Sequence, residues 1–241
     1  MKICAAQIKP FKADIPANIT RHKKMIELAV SNYADMIIFP ELSITGYEPG
    51  LAKELATVKD DRRLDEFQMI SDNKKITICI GMPIQSNSGI LIGLIIFRPH
   101  VPRGLYCKQY LHTDELPYFI HGTEQVFLGE QNEIALSICY ELSVPEHSAM
   151  ASHNGAKIYL SSVAKTTDGV TKAAQSLAGI SKQYAMISIM CNCTGHCDNF
   201  DAGGKTSAWN SRGELIGQLD DLNEGILLVD TNTGQTIIKM L

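Results

Sequence analysis

Apolar residues fall along this chain in short runs, separated by stretches where they recur every three or four positions. The runs at 2–8, 35–39, 75–81, 90–97 and 134–139 are short and nearly continuous, and each predicts a buried strand. After the first of them Pro16 marks a helix start, and Ile19, Met25, Ile26, Ala29 and Val30 follow at helical spacing. Residues 62–72 predict a second helix, with Leu64, Phe67, Met69 and Ile70 toward one side. Strands at 90–97 and 101–108 neighbour each other across the turn Arg98-Pro99-His100. Strands at 126–128, 157–160 and 186–190 and helices at 144–153 and 170–184 come next, the first helix stopped by Asn154-Gly155. Strands at 205–209, 214–218 and 225–230 close the pattern. Helices alternate with strands early and strands dominate late, which predicts a layered α/β fold.

Composition narrows the function classes. No repeat or low-complexity linker interrupts residues 1–241, so one domain is expected, with a core large enough to need no disulfide staple. The 22 basic and 26 acidic side chains are dispersed, which points away from nucleic acid and from anionic membrane surfaces. The longest apolar stretch, 90–97, is too short to span a bilayer. No apolar signal segment precedes Lys9, and the seven cysteines are an odd number, mostly scattered. A soluble, reduced, cytoplasmic protein is therefore expected.

Candidate chemistry gathers at strand ends. Cys139 closes an apolar strand, and Pro145 can open a helix shortly after it. A thiol on such a turn lies near the positive end of a helix, which favours nucleophilic attack. Glu41 follows the strand ending at Phe39, and Lys108 ends another. In α/β sheets ligands collect at the carboxyl ends of strands. Taken singly, each residue reads more simply as a core cysteine, a capping glutamate and a surface lysine.

The local sequences decide between these readings. Phe39-Pro40-Glu41-Leu42 with Thr45-Gly46-Tyr47, Tyr106-Cys107-Lys108-Gln109-Tyr110-Leu111, and Cys139-Tyr140-Glu141 with Pro145-Glu146 resemble the base, lysine and nucleophile motifs of the nitrilase superfamily, the carbon–nitrogen hydrolases. Glu115, with Tyr118-Phe119 and Gly122, is similar to that family's second glutamate segment. The closing Glu224-Gly225-Ile226-Leu227 and Asp230 resemble its last strand. The order of the motifs fits, and the resemblance spans nearly the whole chain.

The resemblance implies a four-layer αββα sandwich, paired into a homodimer or larger homo-oligomer, that acts on a small-molecule amide without cofactor or metal. It implies that Glu41 takes the thiol proton and Cys139 attacks the carbonyl. Lys108 and the backbone N–H of Tyr140 meet the oxyanion, and Glu115 holds Lys108 and substrate in register. Tyr47, Val163 and Lys165 are expected to line the acyl pocket, with Glu141 and Asn192 supporting behind it. The expected reaction is hydrolysis of a linear amide or carbamoyl compound through a thioester. Acyl transfer from the same thioester, or an idle scaffold of the same fold, are the alternatives.

The absence of a membrane segment and of an ammonia-using domain within the chain points away from lipoprotein acyl transfer and glutamine-dependent synthetases. Two departures leave the substrate open: Ile180-Ser181-Lys182-Gln183-Tyr184 replaces a common Arg-Ala-x-Glu-Asn segment, and Val163-Ala164-Lys165 stands where Ala-Trp is usual. Lys165 is a candidate for attracting a substrate carboxylate. Cys191, Cys193, His196 and Cys197 look superficially like a metal cluster, but their spacing is too compressed for the usual paired zinc ligands.

Overall fold

A computed structural model describes the whole chain, Met1–Leu241. Its first part runs β1 (Lys2–Gln7), α1 (Ile15–Ser31), β2 (Met36–Ile38), α2 (Ala52–Leu55), α3 (Asp65–Lys74), β3 (Thr77–Gln85), β4 (Ile90–Phe97) and β5 (Gly104–Cys107). Then come β6 (Phe127–Leu128), β7 (Ile134–Ile138), α4 (Pro145–His153), β8 (Ile158–Ser162), α5 (Thr167–Tyr184) and β9 (Ile187–Cys191). A hairpin of β10 (Thr194–Cys197) and β11 (Phe200–Gly203) follows, then β12 (Ser207–Trp209), β13 (Leu215–Gln218), β14 (Gly225–Asp230) and β15 (Thr236–Met240).

The strands form a seven-stranded sheet, β15-β14-β1-β2-β3-β4-β5, and a six-stranded sheet, β13-β12-β9-β8-β7-β6. In each, three central strands are parallel, β1-β2-β3 and β7-β8-β9, and antiparallel strands extend the edges. Alternation along the strands separates three apolar layers. Ile3, Ala5 and Ile38 face Leu136, Ile138, Leu160 and Ile189 between the sheets. Cys4, Ala6 and Ile37 point the other way and pack under Met25, Ile26 and Ala29 of α1 and Phe67 of α3. On the far side Ala135, Tyr159 and Met190 meet Ala151 of α4 and Ala173 and Leu177 of α5. The result is the expected α-β-β-α layering, with both faces of each sheet buried, so the central strands read as apolar runs.

Local chemistry sets the helix starts. Asp14 accepts from the Ala17 N–H at 3.0 Å and Pro16 occupies the first turn of α1. Thr166 caps α5 by accepting from the Gly169 N–H at 3.0 Å. The helix expected at 62–72 divides into a 3₁₀ turn, Arg62–Leu64, capped by the Asp61 carboxylate accepting from the Arg63 N–H at 2.8 Å, and α3. The strand expected to end at Gly81 continues to Gln85 through Pro83. That proline needs no donor there: β2 pairs only as far as Cys79, and the Pro83 carbonyl accepts from Thr57 at 3.1 Å instead. The strand expected from Val101 begins only at Gly104. No helix is long and apolar enough to cross a membrane.

Candidate active site

Three strand ends and the loops after them converge on one point between the sheets. Glu41 sits on a tight turn after β2, where the Phe39 N–H donates to the Cys79 carbonyl at 3.0 Å and the Ile44 N–H to the Gly81 carbonyl at 3.1 Å. This turn lies so close to β3 that a Cβ on Gly81 would stand 2.4 Å from the Leu42 nitrogen. Only glycine allows that approach. Lys108 follows β5, its N–H donating to the Ile92 carbonyl at 2.9 Å and its own carbonyl accepting from Gly122 at 2.7 Å. Cys139 follows β7 and opens a 3₁₀ turn, Cys139–Ser143, with φ of +42°. A non-glycine residue in that region is strained and is held there by its surroundings.

Glu141 supplies much of that hold. Its fully buried carboxylate accepts from the Ile138 N–H and from the Tyr106 hydroxyl, both at 2.6 Å, and from the backbone N–H of Gln109. One side chain therefore ties the residue before Cys139 to the residue after Lys108. Behind it, the His147 Nε2 lies 3.0 Å from the Tyr106 hydroxyl and its Nδ1 lies 2.7 Å from the Tyr159 hydroxyl. Because Tyr106 donates to Glu141, His147 donates through Nε2 and accepts through Nδ1. Burial lowers its pKa to about 4, so the ring is neutral at pH 7.

Lys108, Glu41 and Glu115 form a buried ionic trio. The ammonium lies 2.7 Å from Glu41 Oε1 and 2.6 Å from Glu115 Oε1. Glu115 is fixed by two further groups, the Tyr47 hydroxyl at 3.0 Å and the His112 N–H at 2.8 Å. Burial opposes the charge on Lys108, but Glu41, Cys139 and Glu115 outweigh it and its pKa is raised. Glu41 is different. Its Oε2 is buried with no hydrogen-bond partner. Burial raises its pKa to about 7, Lys108 opposing and Glu115 adding to the rise. Burial and the Glu41 charge raise the Cys139 thiol to about 11, with Lys165 and Lys108 acting against them. At neutral pH the resting pair is thus a thiol beside a carboxyl group near its midpoint.

Cys139 opens into a cavity of about 210 Å³, walled also by Tyr47, Glu115, Tyr140 and Lys165. The thiol reaches toward the Ala164 carbonyl at 3.8 Å. Of the expected pocket residues, Val163 is the exception. Its side chain is fully buried beneath α5 with Val170 and Leu177, and its N–H pairs with the Cys191 carbonyl at 2.9 Å. Val163 turns away under α5, and Ala164 and Lys165, in the segment after β8, line the cavity instead. Asn192 does not line the cavity but bonds the backbone of Lys165.

Sequence reading missed His112, Asp114, Thr166 and Phe200, which also line the cavity. Phe200 comes from the unexpected hairpin β10–β11. Its only sequence signal is an isolated aromatic after Cys197-Asp198-Asn199. The same hairpin separates the compressed cysteine–histidine stretch. Cys193 and Cys197 point inward with sulfurs 3.7 Å apart, whereas exposed His196 bonds Asp201 at 3.0 Å on the other face. These side chains do not converge as a metal-binding set.

Two helix-covered sheets with a strained thiol beside a buried carboxylate–ammonium–carboxylate trio define an αββα sandwich protein with a built polar centre. The chain belongs to the carbon-nitrogen hydrolase family, whose profile matches residues 2–237. It is similar to the glutamine-dependent NAD(+) synthetases of Thermotoga maritima, 23% identical over 98% of this chain, and of Acinetobacter baylyi, 26% identical over all of it. The chain spans only 43% and 46% of those relatives' lengths. It therefore resembles one part of such enzymes throughout, which removes the grounds for setting glutamine-dependent synthetases aside. Among solved structures an amidase from Nesterenkonia sp. AN1 matches with a TM-score of 0.86 at 20% identity, over 95% of this chain and 90% of that one. That structure carries the acetamide moiety of fluoroacetamide on its active site cysteine. At this identity the likeness concerns the fold.

Proposed function

We propose that this protein is a thiol amidohydrolase cleaving the C–N bond of a small linear amide. Glu41 takes the Cys139 proton as the sulfur attacks the amide carbon. The oxyanion is met by the Lys108 ammonium and by the N–H of Tyr140, which lies in a first helical turn where backbone N–H groups have no helical acceptor. One such donor lowers a barrier by about 2.7–4 kcal/mol. The tetrahedral centre collapses as protonated Glu41 gives its proton to the leaving nitrogen, and ammonia departs from a thioester on Cys139. Water, deprotonated by Glu41, then attacks the thioester; the carboxylic acid leaves and the thiol regains its proton.

The observation that carries this reading is the buried, unpartnered Oε2 of Glu41. A carboxylate oxygen left without a donor in a closed site is a poor structural feature and a good proton acceptor. Incubation with an amide panel, followed by ammonia release and intact-mass analysis, tests it. Turnover with an acyl adduct on Cys139 is expected; neither across a broad panel would overturn the reading.

Because Glu41 must be ionised to act, kcat/KM is expected to rise with pH through about 7 and then level off. Glu41→Gln should lose about 10²–10⁴-fold in rate. It should also change the pH dependence of stability. The folded-state pKa of Glu41 lies above its ordinary 4.5, so its contribution is full below that value and is lost as pH rises through about 7. The glutamine variant is therefore expected to gain in Tm relative to the parent at pH 8 and to lose that gain at pH 5. A flat difference between the two pH values would contradict this account.

Similarity to glutamine-dependent synthetases supports a second reading, in which the amide is the carboxamide of glutamine and the released ammonia is used by another protein or segment. Glutamine in the panel, read by glutamate and ammonia, separates it from a general amidase.

A further inference from the structure

Lys165 is held with unusual care for a lysine near a surface. Its N–H donates to Asn192 Oδ1 at 2.9 Å, and its carbonyl accepts from Asn192 Nδ2 at 3.2 Å and from the Gly203 N–H at 2.7 Å. Asn192 is fully buried and completes its bonding to the Gly204 carbonyl at 2.8 Å. A buried amide and a hairpin strand thus fix where this side chain starts, and the side chain lines the cavity beside Cys139.

The other charges around Cys139 have partners. Glu41 and Glu115 share Lys108, and Asp114 pairs with His112. Lys165 has no carboxylate within 4.0 Å and makes no hydrogen bond through its ammonium. An ammonium facing a partly closed cavity without a counter-ion favours an anionic occupant. The remaining wall is largely aromatic, from Tyr47, Tyr140 and Phe200, and suits a short methylene chain. At about 210 Å³ the space is below the range of about 300 Å³ and above that holds drug-sized ligands.

We propose that Lys165 is a specificity-determining residue that pairs with a carboxylate on the acyl portion of the substrate. The substrate class is then the monoamide of a short dicarboxylic acid, with the amide at Cys139 and the acid group at Lys165. Glutamine is an amino-substituted member of that class. This inference rests on the amidohydrolase reading above.

Lys165 also acts electrostatically on Cys139 and Glu41. A lysine that only tuned those groups would alter the rates of all amides alike, so the ratio between two substrates isolates recognition. The test compares kcat/KM for glutaramate and for pentanamide, in which a methyl group replaces the carboxylate. The parent is expected to prefer glutaramate. In Lys165→Met that preference should fall roughly ten-fold or more, mainly through KM. Lys165→Arg should keep most of it, and Lys165→Glu should shift preference toward 5-aminopentanamide. Thermal unfolding reports folding in every variant, and pentanamide turnover supplies the reference rate for the ratio. An unchanged glutaramate-to-pentanamide ratio in Lys165→Met overturns the assignment while leaving the amidohydrolase reading intact. If the parent turns over no amide and Cys139 stays unmodified, both fall together.

Discussion

Replacing Cys139 with alanine is expected to reduce amide hydrolysis by at least about 10⁴-fold while leaving the protein folded. The sulfur is the nucleophile of the proposed thioester, and no other thiol lines the cavity, while the Tyr47 hydroxyl there donates to Glu115. Folding should survive because the Cys139 sulfur's one polar contact is a long one to the Ala164 carbonyl, 3.8 Å, and alanine meets the same backbone demand at φ +42°. Ammonia release by purified variant and parent, with thermal unfolding as a control, checks both halves. Ammonia production surviving in the alanine variant would move the chemistry to a different place in the molecule.

Glu141→Ala should produce the largest loss of stability, about 3–5 kcal/mol. The buried carboxylate accepts from three backbone N–H groups and a tyrosine hydroxyl, and its removal leaves them without their acceptor. For a chain of this size that corresponds to a fall in Tm of roughly 6–20 °C. Activity should fall further than stability alone explains, because Ile138 and Gln109 are no longer tied together and Cys139 and Lys108 lose their common anchor. Glu141→Gln keeps one acceptor oxygen but turns an N–H toward donors, so it should lie between the two. Urea unfolding with kcat/KM measured on the folded fraction separates these effects; a loss under about 1 kcal/mol for Glu141→Ala would show that the carboxylate is dispensable.

Glu141 also shows where reading a sequence stops. From the sequence it is an acidic residue after the candidate nucleophile, with a general supporting role. Apart from the nearby Ile138 N–H, its donors come from β5 and the segment after Lys108, which are remote along the chain. His147 is less legible still. Nothing in α4's sequence marks it as part of a buried chain through Tyr106 and Tyr159, because that chain exists only when the two sheets are stacked. Hairpin β10–β11 and edge strand β15 escaped for a related reason. Thr194-Gly-His-Cys lacks an alternating pattern, and β15 is mostly exposed, so neither carries the burial signal from which strands are inferred.

The sequence by itself determined the layered α/β class, the central strands and the order of Glu41, Lys108, Glu115 and Cys139, because burial on both sheet faces writes continuous apolar runs and strand ends stand out against them. Tertiary structure alone decided that the three acidic and basic side chains touch and that one oxygen of Glu41 has no partner. It also decided that Val163 turns inward while Lys165 faces the cavity without a counter-ion. These are facts of distance and direction between segments far apart in the chain. A residue's identity limits the bonds it can make, but only the packing of the two sheets determines which of them form.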